Sequence, residues 1–286
     1  MNQQAAAQAP AEPTPVSGTG GRRNVSIASA SQDPLDTTRA WWADGSSYDA
    51  YVREELAGFR AKRWQDVVMS YFPHLGDAKL KVLDAGTGPG FFPCVLGACG
   101  HRVWGADLSR DMLRHAQANA SAAGVEGNVS FHEMDVQRPT FPDDSFDLVV
   151  SRNVTWTLPE PELAYTEWLR VLKPGGTLLV YDANWHLEFY DEQVARQVRK
   201  NELAYERRFG KPFKVCRDDK PYYDSLPLSR IVRPAWDVEA LARVGFASVK
   251  TRKDIGALVY EDWERGLYSA TPLFEISATK PTREVR

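Results

Sequence analysis

The chain has 286 residues, of which 43% are hydrophobic, enough to form one large α/β domain or two small ones. Its net charge of −3 comes without any run of basic residues, which argues against a nucleic-acid partner. The longest apolar runs, such as residues 177–181, fall far short of the roughly 20 residues that a membrane span needs, and the N-terminus lacks the pattern of a secretory signal. The three cysteines have no C-x-x-C spacing, so we expect a cytoplasmic protein without a bound metal.

Residues 1–36 contain mainly Ala, Gln, Pro, Ser and Gly, with almost no large apolar side chains. Such a segment cannot bury enough surface to offset the entropy of ordering, so we expect a disordered tail there and a single domain over 37–286. From 37 to 73 the apolar side chains have mostly helical spacing until Pro73. We expect this stretch to form an N-terminal helical cover.

Short apolar runs then alternate with helical patterns. Strands are predicted at 80–83, 103–106, 129–134, 146–150 and 177–181, and helices at 91–99, 110–122 and 161–172. This alternation indicates parallel strands with helices on both faces, a doubly wound α/β fold.

The alternation stops after residue 181 and resumes with a helix at 236–244 and strands at 247–253 and 273–279. Residues 186–232 are therefore predicted to be an insertion after the fifth strand, serving as a lid. Its charged helix carries an apolar stripe that we expect to pack on the mouth of the site. We also expect Tyr222, in the Pro/Tyr-rich part of this insertion, to line the acceptor cavity.

A glycine-rich turn follows the first strand, in the segment Val82-Leu83-Asp84-Ala85-Gly86-Thr87-Gly88-Pro89-Gly90-Phe91. Glycine allows sharp turns and close approach to a ligand, and the following helix start offers free N–H groups. A nicotinamide enzyme would need G-x-G-x-x-G here, but Phe91 and Pro93 occupy the positions of its last glycine. A nucleotide-cofactor oxidoreductase is therefore the weaker alternative.

The segment resembles the first motif of class I S-adenosylmethionine-dependent methyltransferases, acidic-x-Gly-x-Gly-x-Gly. The resemblance implies that a loop of Gly86, Thr87, Gly88 and Gly90 passes beneath the amino-acid part of S-adenosylmethionine. It also implies that Asp84 reaches the methionine ammonium. The product would be S-adenosylhomocysteine.

Two further acids stand where the family binds the nucleoside. The resemblance implies that Asp107 binds the ribose hydroxyls and that Leu108 and Met112 pack on the faces of adenine. The alternative for Asp107 is an acid that caps the following helix. Asp135 would accept from the adenine amino group, and the backbone of Val136 would bond a ring nitrogen. A surface-loop acid is the alternative for Asp135.

Residues 141–150 and 170–176 also resemble the family, so that the likeness is strong over about 80–182 and extends to 233–280 by pattern. It implies a seven-stranded, mostly parallel sheet of the Rossmann-like methyltransferase type whose last strand is antiparallel.

Ligands of open α/β sheets sit beyond the carboxyl ends of the strands, where polar and aromatic residues follow the fourth and fifth strands here. The candidates for acceptor binding are Trp42, Asn153, Trp156, Asn184, Trp185 and Tyr222. His186 is a candidate general base and Asp182 a candidate orienting acid, with a surface histidine and a turn-capping acid as alternatives. We place Arg152 and Tyr48 at the cofactor, although Arg152 could instead pair with an acid inside the fold and Tyr48 could simply pack in the core.

The sequence thus predicts methyl transfer to an oxygen, nitrogen or sulfur atom of a small molecule. The many Trp and Tyr residues near the cover favour an aromatic or cationic acceptor. The family's Asn/Asp-Pro-Pro-Tyr/Phe motif for amino methylation does not follow the fourth strand. A non-catalytic protein that binds S-adenosylmethionine is the other alternative.

Overall fold

A computed structural model describes residues 34–213 and 220–282, which form a seven-stranded sheet between two layers of helices. The sheet has the order β3-β2-β1-β4-β5-β7-β6, and β7 runs antiparallel to both of its neighbours while β1 to β5 are mutually parallel. The predicted fold class is therefore confirmed. The strands are β1 Lys81–Ala85, β2 Arg102–Asp107, β3 Val129–Glu133, β4 Phe146–Arg152, β5 Leu172–Asp182, β6 Ala247–Arg252 and β7 Phe274–Thr279.

Eleven α-helices accompany the sheet in the described part of the chain. They are α1 Pro34–Trp41, α2 Ser46–Ala57, α3 Phe59–Met69, α4 Phe91–Ala98, α5 Arg110–Ala122, α6 Pro161–Val171, α7 Glu192–Phe209, α8 Lys220–Ser225, α9 Ala235–Val244, α10 Gly256–Val259 and α11 Asp262–Leu267. All the helices of residues 34–213 and 220–282 are too short or too polar to cross a membrane.

Successive residues of each strand point to opposite faces of the sheet, so that each face buries its own hydrophobic core. Val82, Leu148 and Leu179 pack with Trp64 and Phe92 on the side of α3 and α4. Their chain neighbours Leu83, Val149 and Leu178 pack on the opposite side, against α6 and α9. The two cores fix the sheet and hold the carboxyl ends of β1, β2 and β4 together at one edge.

Three sequence expectations differ from the structure. Residues 34–36, which we placed in the tail, form the first turn of α1; the rest of the predicted tail lies outside the described residues. The stretch at 173–176, between the predicted helix 161–172 and the predicted strand 177–181, belongs to β5, where the pairing with β4 is irregular. The short helices α10 and α11, between β6 and β7, were not expected.

The helix α7 does not pack where we expected. Tyr205 on its apolar stripe contacts the Trp263 ring on α11, with ring centroids 5.7 Å apart. Asn201 donates to the backbone oxygen of Leu267 at 3.0 Å. Within the predicted insertion it is α8 that approaches the site, since the hydroxyl of Tyr222 lies 3.1 Å from that of Thr38 on α1.

Candidate active site

A cavity of about 740 Å³, counting the space at its opening, lies at the carboxyl ends of β1 to β4 beneath α1 and α2. Its lining residues are Leu35, Thr38, Trp42, Tyr48, Gly86, Gly88, Asp107, Leu108, Met112, Asp135, Val136, Arg152, Asn153, Val154, Thr157, Leu158 and Pro159. The structure thus brings together most residues predicted to hold the cofactor.

The glycine loop forms the floor of the cavity, and its backbone shape requires glycine. Gly86 and Gly90 have φ values of 80° and 85°, in the left-handed region that other residues avoid. A Cβ at Gly86 would lie 2.3 Å from Val154, and one at Gly90 would lie 2.9 Å from Ala116. The loop therefore keeps its backbone bare and delivers the chain into the N-terminus of α4.

Asp84 lies under this loop and does not line the cavity. Its carboxylate accepts a hydrogen bond from the Thr87 hydroxyl at 2.7 Å, and burial raises its pKa to about 7. Asp84 and Thr87 therefore support the loop in this structure. A contact from Asp84 to the cofactor ammonium remains a prediction.

Asp107, at the end of β2, presents its carboxylate to the cavity in a fixed orientation. One oxygen accepts from the backbone N–H of Gly88 and the other from that of Ser109, both at 2.8 Å. Burial raises the pKa of Asp107. Leu108 and Met112 follow it in the cavity wall, and their contact with adenine stays a prediction.

Asp135 and Val136 extend the same wall beyond β3. The Asp135 carboxylate accepts from the backbone N–H of Gln137 at 2.9 Å and from its side-chain amide at 3.1 Å. The Val136 carbonyl accepts from the Trp168 indole N–H at 2.9 Å. These bonds orient both residues from outside the cavity.

Arg152 both lines the cavity and pairs inside the fold. Two of its nitrogens donate to the Glu55 carboxylate at 3.1 Å and 2.9 Å, and the guanidinium lies 4.1 Å from the centre of the Phe91 ring. Although burial alone would lower it, Glu55 holds the pKa of Arg152 above its usual value. Glu55 on α2 thus neutralises the charge of Arg152, whose side chain also lines the cavity.

Tyr48 and Asn153 meet above the glycine loop. The Tyr48 ring lies next to Gly88, at 3.4 Å from the position that a Cβ of residue 88 would take. The Tyr48 hydroxyl interacts with the Asn153 side chain. Asn153 has a φ of 59°, rare for a residue with a side chain. Its Oδ1 is buried and accepts no hydrogen bond from residues 34–213 or 220–282. A strained residue with an unsatisfied acceptor at a cavity wall is typical of a ligand contact.

Of the other residues predicted for acceptor binding, only Trp42 lines the cavity. Asn184 is occupied by the backbone of Arg233, donating to its carbonyl at 3.0 Å and accepting from its N–H at 2.8 Å. Trp185 donates to Asp182 at 3.0 Å. Trp156 and Tyr222 lie just behind the cavity wall, against α1.

The two predicted catalytic residues do not reach the cavity, which corrects the sequence interpretation. Asp182 is fully buried and accepts from Thr155 at 2.5 Å and Arg233 at 2.8 Å, so its oxygens position the loop after β4. His186 stacks on Tyr223 with ring centroids 3.6 Å apart, and burial lowers its pKa to about 3. A base this weak and this far inside the fold does not fit proton removal.

Six lining residues were missed by sequence reasoning: Leu35, Thr38, Val154, Thr157, Leu158 and Pro159. The last four extend the loop after β4, where only Asn153 and Trp156 were chosen. All of residues 153–159 could have been predicted to line the site, because they directly follow the carboxyl end of a central strand. Leu35 and Thr38 carry no comparable signal, since their position depends on tertiary contacts of α1.

The groups that line the cavity suit S-adenosylmethionine. The bare backbone of Gly86 and Gly88, the oriented carboxylate of Asp107 and the apolar side chains of Leu108 and Met112 match a nucleoside joined to an amino acid. The described residues contain no cluster of three or more His, Cys, Asp or Glu side chains placed to hold a metal ion.

Comparisons with known proteins agree with this geometry. A family model described as a methyltransferase domain matches residues 83–180. A ubiquinone/menaquinone biosynthesis C-methyltransferase of Saccharophagus degradans is 32% identical over 191 residues, covering 63% of this chain and 72% of the relative. A phosphatidylethanolamine N-methyltransferase of Cereibacter sphaeroides is 34% identical over 102 residues, covering 35% of this chain and 49% of the relative.

Among solved structures, Haemonchus contortus phosphoethanolamine N-methyltransferase 2 in complex with S-adenosyl-L-methionine matches with a TM-score of 0.58 at 16% identity, over 86% of this chain and 60% of that chain. Fold, cavity and relatives define a Rossmann-like methyltransferase. The chain belongs to the class I family of S-adenosylmethionine-dependent methyltransferases, and S-adenosylmethionine is its cofactor.

Proposed function

We propose that this enzyme transfers a methyl group to a nucleophilic oxygen, nitrogen or sulfur atom of a small-molecule metabolite. The supporting observation is the cavity itself, which continues from the cofactor residues to Trp42 and Leu35 under α1. When bound, S-adenosylmethionine supplies an electrophilic methyl group on sulfur, and S-adenosylhomocysteine remains. The covering helices favour an acceptor small enough to enter beside the cofactor.

The cofactor contacts form the first part of the proposal. Asp107 accepts from the ribose hydroxyls, because its carboxylate lines the cavity and is fixed by two backbone N–H groups. Asp135 and the Val136 backbone read the adenine edge. The remaining cofactor contacts are assigned to Tyr48, Asp84, Gly86, Thr87, Gly88, Gly90, Leu108, Met112 and Arg152.

The acceptor is oriented by Tyr48 and Asn153. Burial raises the pKa of Tyr48, so that its hydroxyl stays protonated at neutral pH and cannot act as a base. The unsatisfied Asn153 Oδ1 accepts a hydrogen bond from an O–H or N–H group of the acceptor. Such a bond would turn the neighbouring lone pair of the acceptor atom toward the methyl group.

We infer that the reaction proceeds without His186 as general base. Because burial lowers its pKa to about 3, His186 is a weak base at neutral pH, and its ring does not line the cavity. The acceptor atom must then lose its proton readily or carry a free lone pair, as amines, thiols and acidic hydroxyls do. A carbon acceptor is the second candidate, since one relative is named a C-methyltransferase.

The test uses S-adenosylmethionine labelled with tritium in its methyl group. The purified enzyme is incubated separately with three fractions of one cell extract: low-molecular-mass metabolites, total RNA and denatured protein. An Asp107→Ala variant serves as the control for cofactor binding. We expect label in the metabolite fraction alone, and much less of it with the variant. Labelling of RNA or protein without labelling of metabolites would refute the small-molecule proposal.

A further inference from the structure

The lining of the cavity divides into a charged part and an uncharged part. Within residues 34–213 and 220–282 the charged side chains that line it are Asp107, Asp135 and Arg152, and each has a proposed contact with S-adenosylmethionine. The lining residues of α1, of the chain directly after it and of the loop after β4 are uncharged. We call six of them the acceptor wall: Leu35, Thr38, Trp42, Asn153, Val154 and Thr157.

The end of the loop after β4 belongs to the nucleoside part of the cavity. Leu158 and Pro159 also line the cavity, but the next residue, Glu160, donates its backbone N–H to the Gln137 side chain at 2.6 Å. Gln137 in turn donates to the Asp135 carboxylate. Leu158 and Pro159 therefore lead toward Asp135, and they are not part of the acceptor wall.

A negatively charged acceptor finds no unpaired cation at the cavity. Arg152 is the one cation among the described lining residues, and two of its nitrogens already donate to Glu55 at 3.1 Å and 2.9 Å. Both side chains are buried, with 8% of Arg152 and 1% of Glu55 exposed. A carboxylate or phosphate beside this pair would lose its hydration without gaining a free counter-charge.

The arginines just outside the cavity are paired as well. A second, open groove borders the cavity, since Leu108 lines both. The ion pairs of the three arginines in this groove are Arg39–Asp36, Arg110–Glu133 and Arg114–Asp111. Because these charges largely cancel, the groove does not draw an anion toward the cavity.

A positively charged acceptor finds no carboxylate in the acceptor wall. Trp42 supplies the one aromatic ring among its six residues, and this ring packs at 59° to that of Tyr48, with centroids 5.8 Å apart. A single indole without a carboxylate holds a cation weakly, whereas quaternary ammonium ligands are bound in cages of several rings. Protonated aliphatic amines therefore do not fit this wall.

The apolar members of the acceptor wall are only partly covered within the protein. Leu35, Trp42 and Val154 line the cavity and are each half-buried. A ligand that covers them removes apolar surface from water, which is the main favourable contribution to the binding of an apolar molecule. The wall therefore selects an acceptor whose body is largely apolar.

The polar members of the acceptor wall leave one hydrogen-bond acceptor unsatisfied. The Thr157 hydroxyl donates to the Val154 carbonyl oxygen at 2.7 Å, and the Thr38 hydroxyl lies 3.1 Å from that of Tyr222. Asn153 Oδ1 is buried and has no hydrogen-bond partner among the described residues. The group that satisfies it must be a donor.

We propose that the methyl acceptor is a neutral, largely apolar molecule with one O–H or N–H group that donates to Asn153. Its apolar body covers Leu35, Trp42 and Val154, and its polar group lies at the atom that receives the methyl group. Phenols and neutral N–H heterocycles belong to this class, whereas amino acids, phosphate esters and aliphatic amines do not. This inference rests on the proposed function, because the molecule is the methyl acceptor.

The first experiment determines the charge of the labelled product before its identity is known. Full-length enzyme and tritium-labelled S-adenosylmethionine are incubated with the low-molecular-mass fraction of a cell extract, and a reaction without enzyme gives the background. The products pass at pH 7 through a strong anion exchanger and a strong cation exchanger, and are then partitioned between water and ethyl acetate. We expect the label to pass both resins and to enter the ethyl acetate.

Label that is retained by either resin, or that stays in the water, would overturn the inference. Absence of label from the metabolite fraction would instead refute the proposed function. The two failures are therefore distinguishable.

The second experiment places a charge in the acceptor wall. Leu35→Glu adds a carboxylate, Leu35→Gln is its uncharged match, and Ala40→Glu adds the same charge at an exposed position of α1 that does not line the cavity. For the acceptor identified from its labelled product, we expect KM to rise roughly tenfold with Leu35→Glu and clearly less with Leu35→Gln, because a carboxylate covered by an apolar ligand loses its hydration.

Ala40→Glu should leave this KM unchanged, and all three variants should bind S-adenosylhomocysteine as the wild type does. An equal or lower KM in Leu35→Glu than in Leu35→Gln would show that the acceptor is not a neutral, apolar molecule.

Discussion

Asp107 shows how one residue can serve both the fold and the site. Its carboxylate ties the glycine loop to the start of α5 through Gly88 and Ser109 and also lines the cavity. The sequence could place this residue at the end of a strand, because an acid there is a local feature, and its contact with the ribose stays a prediction. By contrast, Asp182 also ends a strand, yet a distant partner, Arg233, takes its oxygens.

We predict that Asp107→Ala weakens binding of S-adenosylhomocysteine by about 1.5–3 kcal/mol, because charge-assisted hydrogen bonds are lost. Isothermal titration calorimetry measures the change. Glu133→Ala is the matched control, since Glu133 ends the neighbouring strand β3, pairs with exposed Arg110 and does not line the cavity. Equal affinity of the Asp107 variant and the wild type would disprove the ribose assignment.

Asn153 is predicted to bind the acceptor at some cost in stability. With a φ of 59°, its backbone favours glycine, so Asn153→Gly should keep or raise the melting temperature. The same change removes Oδ1 and should raise the KM for the acceptor identified by methyl labelling roughly three- to tenfold. Asn153→Ala lacks the amide but retains the strain, and separates the two effects. An unchanged KM in both variants would show that Asn153 does not touch the acceptor.

At the scale of elements, a buried ion network joins the start of α9 and the end of β5 to the loop after β4. Arg233 donates to Asp182 at 2.8 Å, to Asp237 at 2.7 Å and to the Thr155 hydroxyl at 2.6 Å. Asp182 in turn accepts from the Trp156 backbone at 3.1 Å. The network therefore fixes the loop that supplies Asn153 and Thr157 to the cavity.

We predict that Arg233→Met lowers the free energy of unfolding by about 3–5 kcal/mol, because two carboxylates are left buried without their partner. Denaturant unfolding gives the value. The control Arg243→Met removes a solvent-exposed pair with Glu162 and should leave the free energy of unfolding nearly unchanged. Similar losses in the two variants would contradict a structural role for the Arg233 network.

The elements were predictable to different degrees for physical reasons. The central strands and α5 follow from apolar runs and capping residues within the segment itself. Helices of 4 and 6 residues, such as α10 and α11, are too short to show a helical period. The position of α1 depends on Thr38 meeting Thr157, 119 residues away, which no local pattern encodes.

At the scale of the whole molecule, the predicted strand alternation and the family resemblance were sufficient for the sheet and for the cofactor edge of the cavity. They were not sufficient for the rest of the cavity wall, because it is assembled by α1, α2 and the loop after β4. Packing between distant segments decides which aromatic residues face the cavity. Trp42 lines it, whereas Trp185 turns away to donate to Asp182.

The stability of the whole molecule should depend on pH through a buried carboxyl group. Glu264 is fully buried beside Arg60, and burial raises its pKa to about 7, above the value of about 4.3 expected in an unfolded chain. Folding therefore favours the protonated form. The resulting stabilisation is complete below about pH 4 and is lost as the pH rises to about 7.

We predict that the free energy of unfolding of Glu264→Gln falls less than that of the wild type between pH 5 and pH 8, with a difference of the order of 2 kcal/mol. Denaturant titrations at both pH values measure it. Glu162→Gln is the control: the hydrogen bond from Arg243 lowers the pKa of Glu162, so its contribution changes only in more acidic solution. Its curve should run parallel to that of the wild type across this range. A parallel curve for Glu264→Gln as well would show that Glu264 is ionised in the folded enzyme throughout.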